Sequence, residues 1–443
     1  MFVRAFRSLG GPQSVQQHLH LKQRERGFNE AALVESLLIL NAVGGDCLED
    51  LDRLRQDPGW AELIGHEVPS AVVGRKFLYR FHEEERIEQA RQQLRLGEVS
   101  YIPEESAPLR GLAAVNRDLV RELGRRCATE KIATIDLDST VIESWKQEAQ
   151  PTYPGGAGYQ PLVALWAEMD VVLAEEFRDG NVPAQRQPLR VARQAFAAVP
   201  PTVREFYFRG DSACYDQELI EWLRDEQREG GPPGFIGFAI SVRMNNPTLR
   251  GKILRLPEEA WKPYGEEAEV IKECAEVNTY WPEARKPKEY GPLRWVAIRV
   301  RQRQGELFAE GVEVKHYAVV TNLWAWSTQR LLEWHREKAG SIEAVHDVLK
   351  NELAAGVLPC GRFGANAAWF RLAVMTHNVL TALKRLALPP ELLAARPKRL
   401  RFLIFHTPGR LVRHARRMIL KLACVGERIA KWLEVMRLLP LPA

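Results

Sequence analysis

The chain has 443 residues, enough for two to four structural units, and its composition excludes an intrinsically disordered protein. Hydrophobic residues make up 46% and charged residues 27%, which is typical of a globular protein. The net charge is only +5, but nine Lys or Arg and no Asp or Glu lie between Arg396 and Lys421. Such a segment is typical of a surface that binds a polyanion.

Neither a membrane span nor an export signal is recognisable in the sequence. No apolar run approaches the roughly 18 residues that cross a bilayer, and the first residues lack an apolar signal core. The six cysteines and ten histidines are scattered, without a C-x-x-C or H-E-x-x-H pattern. We therefore expect a cytoplasmic protein with free thiols, no zinc site and no membrane partner.

The first part of the chain has the periodicity of helices. Residues 29–43 form an amphipathic pattern, shorter helical patterns follow, and Ser70 is a predicted N-cap for a basic helix over residues 71–81. This arrangement resembles a helix-turn-helix module, in which the last helix enters the major groove. Residues 1–125 are therefore predicted to be a helical DNA-binding unit, with Arg75 and Lys76 as candidate DNA contacts.

Strand patterns begin at Lys131 and alternate with helical ones, which indicates an α/β core. We predict that residues 126–229 form its first part, that residues 230–315 are a β-rich insertion, and that residues 316–389 complete the core. Residues 390–443 are predicted to be a basic helical tail, in which Arg413 and Arg417 are candidate DNA contacts.

The segment TIDLDSTVIES (134–144) carries two carboxylates on one face of a strand, Asp136 and Asp138. Because like charges repel, a bound divalent cation would explain the pair. One interpretation is a phosphatase of the haloacid dehalogenase type, with Asp136 as nucleophile and Asp138 as general acid. RGDSACYD (209–216) imitates the closing metal motif of that family. However, the opening motif lies more than a hundred residues from the N-terminus, and the second half of the chain is left without a role.

The alternative is a DDE transposase, in which an RNase H-like sheet presents two Asp and a later helix presents a Glu. Three such carboxylates hold two Mg²⁺ ions about 3.5–4 Å apart. A suitable helix is predicted in AGSIEAVHDVLKNEL (339–353), where Glu343, Asp347 and Lys350 share one face. There Glu343 is the candidate third carboxylate, and Lys350 is placed to bind a DNA phosphate.

The chain resembles bacterial insertion-sequence transposases with a Y-R-E-K signature, especially the family numbered thirteen-eighty. The resemblance rests on AGSIE, VLKNE and GRFGANAAWFRLAVMTHNVLTALKRLAL in the second half of the chain. Upstream, GGDCLEDLDRLRQD, LDSTVIE, GYQPLVA, RDGN and RGDSACYD are similar to family segments in the same order. The resemblance covers residues from about 30 to 425. It implies an RNase H-like catalytic core interrupted by a β-rich insertion, with helical N-terminal and C-terminal parts.

The resemblance implies a role for individual residues. Asp138, Asp211 and Glu343 match the three catalytic, metal-binding carboxylates, with Asp136 as the alternative for the first, and Lys350 matches the signature lysine. The signature arginine position is occupied by Ala339 and the signature tyrosine position by Arg336. These departures leave open a non-catalytic DNA-binding remnant. Further candidate DNA contacts near the signature are Lys338, Arg336 and Asn351.

The implied activity is cleavage of DNA at the ends of an insertion sequence and transfer of the 3′-OH to target DNA. Two Mg²⁺ ions would serve as cofactor, and Mn²⁺ is a plausible substitute for an all-oxygen ligand set. The expected partners are double-stranded DNA and a second copy of the chain in a homodimer. The expected location is the bacterial cytoplasm, at the nucleoid when bound to DNA.

Other polar side chains near these motifs have simpler interpretations. Asp216 is expected to cap a helix, Cys214 to be a small buried hydrophobe, and His346 to lie on the surface. Trp324 and Trp326 are expected to pack in the core rather than to stack on a displaced base.

Overall fold

The computed structural model describes residues 1–21, 27–267, 270–277, 292–303, 312–415, 417–423 and 427–439. Its N-terminal part is helical, as predicted. The helices are α1 (Phe2–Ser8), α2 (Gly11–His18), α3 (Glu30–Val43), α4 (Asp50–Gln56), α5 (Pro58–Ile64), α6 (Ala71–Tyr79), α7 (Glu84–Gln92) and α8 (Ala107–Arg126). Ser70 caps α6 by accepting a hydrogen bond from the backbone N–H of Val73, as its position before an apolar helical pattern predicts.

An α/β part follows. Its elements are β1 (Ile132–Ser139), β2 (Ile142–Glu143), β3 (Gln150–Pro151), β4 (Ala157–Tyr159), β5 (Leu162–Trp166), β6 (Val171–Glu176), α9 (Pro188–Ala198), β7 (Glu205–Gly210), α10 (Gln217–Arg224) and β8 (Ile236–Val242). The short strands β2, β3 and β4 make a small separate sheet. The five longer strands belong to the main sheet.

The order of these five strands identifies the fold. β6, β5, β1, β7 and β8 lie side by side in that order. β5 is antiparallel to both β1 and β6, whereas β7 is parallel to β1 and β8 is parallel to β7. Counted along the chain this is the order 3-2-1-4-5 of the RNase H fold, so the predicted fold class is confirmed.

The segment predicted as a β-rich insertion continues the core sheet. Strand β8 begins it, and α11 (Pro247–Leu254), β9 (Lys262–Glu267), β10 (Val270–Glu276), β11 (Arg294–Arg303) and β12 (Val312–Thr321) follow. β12 pairs antiparallel with β8, and β11, β10 and β9 add outward to make nine strands. The range 230–315 therefore includes the fifth core strand, β8. Its outer edge is covered by β12, and an uncovered edge strand could pair with another chain.

Two long helices, α12 (Thr328–Glu352) and α13 (Phe363–Ala387), follow the sheet. α12 packs on β1, β7 and β8. α13 is buried along most of its length, in contact with β6 and with α1, α3, α6 and α8, so it joins the helical part to the sheet. Its Asn378 side chain accepts a hydrogen bond from the Val172 N–H and donates one to the Val172 carbonyl, both at 2.8 Å, which satisfies polar groups that the apolar packing would otherwise leave unpaired.

The C-terminal tail is helical only at its two ends. α14 (Pro397–Leu400) runs into a π-helical turn, after which β13 (Gly409–His414) and β14 (Arg417–Leu422) form a hairpin, and α15 (Glu427–Leu438) follows. The prediction of a helical tail over residues 390–443 is thus corrected. Residues 411–412 and 418–420 are short apolar runs bounded by basic residues, and such runs do not by themselves distinguish a strand from a helix.

Two expectations from composition agree with the structure. Cys47, Cys127, Cys214, Cys274 and Cys360 are unpaired, and Cys424 lies outside the described residues. Within the described ranges, no helix is both long and apolar enough to cross a membrane.

A buried ion-pair network makes the junction between α13 and the sheet testable. Arg371 is 3% exposed and binds the carboxylates of Glu175 and Glu105 and the carbonyl of Leu109. Arg371→Ala leaves the Glu175 carboxylate buried without its partner, so we expect the free energy of unfolding to fall by about 3–5 kcal/mol in urea titrations.

Arg53→Ala is the matched control, because Arg53 is 83% exposed and its ion pair with Asp50 lies on the surface. We expect a change below about 0.5 kcal/mol for this variant. Equal losses in the two variants would contradict the structural role of Arg371.

Candidate active site

Strands β1 and β7 bring Asp138 and Asp211 to neighbouring positions. The two strands are parallel, with Asp136 opposite Arg209 and Leu137 opposite Gly210. The next residues along the two strands are Asp138 and Asp211. Both carboxylates therefore lie at the carboxyl end of the strands, close enough for their charges to interact. Burial raises the pKa of Asp138, and the charge of Asp211 adds to that rise.

The Asp138 carboxylate lies between the sheet and α12. Its Oδ1 is 3.4 Å from the Lys338 ammonium nitrogen, and its Oδ2 is 3.9 Å from Nδ1 of His346. Burial raises the pKa of Asp138; the Lys338 charge opposes that rise and the Asp211 charge adds to it. The carboxylate is therefore held in a place that disfavours its negative charge, despite one nearby cation.

His346 is buried, so the expectation of a surface histidine was wrong. It is 6% exposed, and burial lowers its pKa to about 3, so the ring is neutral at pH 7. It faces Asp138 because its turn of α12 is pressed against β1, which helical periodicity alone does not reveal. Lys338 was predicted as a DNA contact, but the structure places it beside the carboxylate pair.

Asp211 has a structural role as well as its place beside Asp138. It follows the last residue of β7 and accepts a hydrogen bond at 2.9 Å from the backbone N–H of Ala213, which opens a short 3-10 turn. Asp216 caps α10 by accepting from the Leu219 N–H, as predicted. Cys214 is buried, also as predicted, and burial raises the pKa of its thiol well above the ordinary value.

Asp136 is fully buried, and both of its carboxylate oxygens already accept hydrogen bonds. Its two oxygens accept hydrogen bonds from Arg209 Nε at 2.6 Å and Arg209 Nη2 at 2.9 Å, and the Ser341 hydroxyl donates a third at 2.5 Å. Arg209 also donates to the Trp334 carbonyl and lies over the Trp334 ring. A carboxylate with this coordination has no free lone pair facing solvent, so Asp138 is the better candidate of the two.

Glu343 lies on α12 between Lys338 and His346, the two residues that flank Asp138. Its side chain is exposed. Within the described part of the chain, one trio of potential metal-ligating side chains has ligand atoms within 4.8 Å of one another, namely Asp46, Cys47 and Asp50. The carboxylates of Asp138, Asp211 and Glu343 do not converge to that distance, and the role of Glu343 stays a prediction.

The other predicted DNA-contact residues occupy three separate surfaces. Near the site, the Lys350 ammonium is 3.4 Å from the Val141 carbonyl, Asn351 donates to Asp347, and Arg336 is exposed. On the N-terminal helices, Lys76 is exposed and Arg75 pairs with Glu49.

On the hairpin, Arg413 pairs with Glu62 at 3.1 Å, and the Arg417 side chain lies outside the described residues.

The two tryptophans after β12 differ. Trp326 packs against Trp334 and Tyr207, with ring centroids 5.2 and 5.7 Å apart, as expected for core packing. Trp324 is 57% exposed, so the expectation of core packing was wrong for this residue.

Comparison with known proteins identifies a family and a similar solved structure. The family model described as transposase DDE domain group 1 matches residues 2–439. A cryo-EM structure of the piggyBac transposase synaptic complex with hairpin DNA is similar to 86% of this chain and 73% of that chain, with 11% sequence identity and a TM-score of 0.47. No curated protein matches the chain.

The buried Asp136–Arg209 pair predicts a large loss of stability on substitution. Asp136→Ala leaves the Arg209 guanidinium, which is 2% exposed, without its counter-charge. We expect the free energy of unfolding to fall by about 3–5 kcal/mol in urea titrations. Glu337→Ala is the matched control, because Glu337 also contacts Arg209, at 3.2 Å, but is 69% exposed; its loss should stay below about 1 kcal/mol.

Substitution of Asp138 is expected to raise the stability of the protein at pH 7, whereas substitution of Asp136 lowers it. Because its pKa is raised in the folded state, the native protein loses stability as pH rises above the unfolded pKa of about 3.9. Asp138→Asn removes that penalty, so its melting temperature should exceed that of the unmodified protein at pH 7, with the difference shrinking as pH falls toward 4. A lower melting temperature of the variant at pH 7 would contradict the prediction that the ionised Asp138 carboxylate destabilises the native protein.

Proposed function

Because this chain belongs to the DDE transposase family, whose model matches it over nearly its whole length, we propose that it cleaves DNA at the ends of an insertion sequence and transfers the freed 3′-OH to target DNA. The observation that carries the proposal is the position of Asp138 on β1 and of Asp211 directly after β7, one residue beyond the last paired positions of these parallel strands in an RNase H-like sheet. We further propose membership of the insertion-sequence family numbered thirteen-eighty, on the ordered motifs of the sequence.

The residues present fit a magnesium site. Asp138 and Asp211 offer hard oxygen ligands at the carboxyl end of β1 and β7, and the environment of Asp138 disfavours an unneutralised negative charge. Asp138 and Asp211 would hold the metal, with Glu343 as the third carboxylate and Mn²⁺ as a substitute for Mg²⁺. The chemistry that two bound ions supply is activation of the attacking water or 3′-OH and stabilisation of the leaving oxygen.

The protein side chains around the carboxylates have complementary tasks. Lys338 places a positive charge beside Asp138, which offsets the negative charge of an incoming phosphate. It would supply the cation that Ala339 does not provide at the signature arginine position. His346 is neutral and buried, and it closes the interior side of the site.

DNA would reach the site over basic surfaces of the protein. We propose that Lys350, Asn351 and Arg336 contact DNA near the reacting strand, that Arg75 and Lys76 contact it from α6, and that Arg413 and Arg417 contact it from the tail. Arg75 would exchange Glu49 for a phosphate on binding. Such contacts make binding strongly dependent on salt concentration. We also propose a homodimer on paired DNA ends, in the bacterial cytoplasm at the nucleoid.

The phosphatase interpretation is not favoured. It requires Asp136 as an accessible nucleophile, yet this side chain is fully buried and bound by Arg209 and Ser341. A phosphomonoester has no path to its oxygens without breaking that network.

The test measures nicking of a duplex that carries the inverted repeats flanking the gene, with and without Mg²⁺. We expect metal-dependent nicking that Asp138→Ala, Asp211→Ala and Glu343→Ala each reduce by more than about a thousand-fold, because each variant removes a metal ligand. Binding of the same duplex, measured by anisotropy, should persist in all three variants.

Glu333→Ala is the matched control for Glu343, because Glu333 is also exposed on α12. It should leave nicking unchanged. Nicking that survives Glu343→Ala would contradict the third ligand, and binding without cleavage at any Mg²⁺ or Mn²⁺ concentration would identify a non-catalytic remnant.

A further inference from the structure

We propose that the β13–β14 hairpin, residues 409–422, is a ribbon that docks in the major groove of double-stranded DNA through the face that carries Arg410 and Lys421. The inference deepens the proposed function, since it assigns a DNA-binding element to a transposase.

The basic segment 396–421 is divided by its contacts into anchoring and free cations. Arg396 binds the carboxylates of Glu352 and Asp347 at the end of α12. Arg401 donates to the carbonyls of Asn41 and Ala42 at the end of α3. These contacts fix the start of the tail to both the core and the N-terminal helices.

The hairpin rests on α5 through one of its faces. In the antiparallel register, Leu411 lies opposite Leu420 and Arg413 opposite Met418, so these four share a face. Arg413 pairs with Glu62 of α5, and Leu411 lies beside Gly59, where an added Cβ would stand 3.5 Å from its Cδ1. This face therefore points toward the N-terminal helices.

The opposite face carries Arg410 and Lys421 at its open end and His414 beside the turn. Arg410 lies opposite Lys421, His414 lies opposite Arg417, and Val412 with Ile419 lies between them. Arg410, His414 and Lys421 are exposed. Neither Arg410 nor Lys421 has an ion-pair partner among the residues that the structure describes.

Like charges directly opposite each other in a sheet are destabilising. A hairpin that sets Arg410 against Lys421 without an acidic neighbour is therefore poorly neutralised by the protein, and a polyanion would relieve the repulsion. Arg410 and His414 are four residues apart on this face, or about 13 Å along β13, which is close to the roughly 12 Å width of the major groove. Two-stranded ribbons fit that groove, and the central Val412 and Ile419 could contact thymine methyl groups.

The experiment uses the full chain and a fluorescein-labelled duplex of mixed sequence, about three helical turns long, in anisotropy titrations from about 50 to 200 mM salt. For Arg410→Gln/Lys421→Gln we expect weaker binding and a salt dependence of log K that is less steep by about 1.8, or ~0.9 for each lost phosphate contact. Arg410→Lys/Lys421→Arg should keep the original slope.

Arg125→Gln is the matched control, since Arg125 is 69% exposed and pairs with Glu122 on α8, outside the basic tail and the proposed DNA contacts. Its salt slope should stay unchanged. An unchanged slope in the double Gln variant, or no duplex binding by the unmodified chain, would overturn the proposal. The proposal would also be overturned if the double Gln variant no longer forms a dimer in sedimentation but keeps its salt slope, because the face would then bind a second copy of the chain.

The ribbon and the proposed catalysis fail separately. If the protein nicks saturating duplex but the double Gln variant keeps its salt slope, the ribbon proposal is wrong and the catalytic proposal stands. A shallower slope in a chain that never nicks would support the ribbon and remove the catalytic proposal. Asp138→Asn should nick poorly and keep the salt slope of the unmodified protein.

Discussion

The ion pair between Asp136 and Arg209 is the constraint on which the candidate site depends. It joins β1 to β7 two residues before Asp138 and Asp211, and Ser341 and the Trp334 carbonyl attach α12 to the same pair. A bidentate pair of this kind is directional, so it sets the register of the strands and the position of the helix together. Lys338 and His346 reach Asp138 because α12 is held in that position.

Two aspartates that are two residues apart on one strand face thus have different tasks because their surroundings differ. Asp136 has its charge balanced by Arg209 and is sealed from solvent. Asp138 has a close cation but also a neighbouring carboxylate and a desolvated position, so its ionised form is disfavoured. The stabilising ion pair and the proposed metal ligand are therefore different residues, and the disfavoured charge lies at the residue that a cation would neutralise.

The same division applies to the basic tail. Arg396 and Arg401 bind carboxylates and backbone carbonyls, so part of the positive charge that the sequence shows as one run is structural. Arg410 and Lys421 of the hairpin lie on a face turned away from α5, without an ion-pair partner among the described residues. A count of lysines and arginines does not distinguish these two groups, because the distinction depends on residues hundreds of positions away, such as Asn41 and Glu62.

The sequence by itself determined the local elements and the candidate carboxylates. The Ser70 cap, the strand that carries Asp136 and Asp138, and the helix that carries Glu343 follow from periodicity and capping, which act between near neighbours. Only the tertiary structure decided the 3-2-1-4-5 strand order, the continuation of the sheet beyond β8, the burial of His346 and the pairing of Asp136 with Arg209. These features depend on contacts between distant segments. A neutral buried histidine and an exposed one have the same sequence spacing, and the short apolar runs of the tail hairpin do not distinguish a strand from a helix.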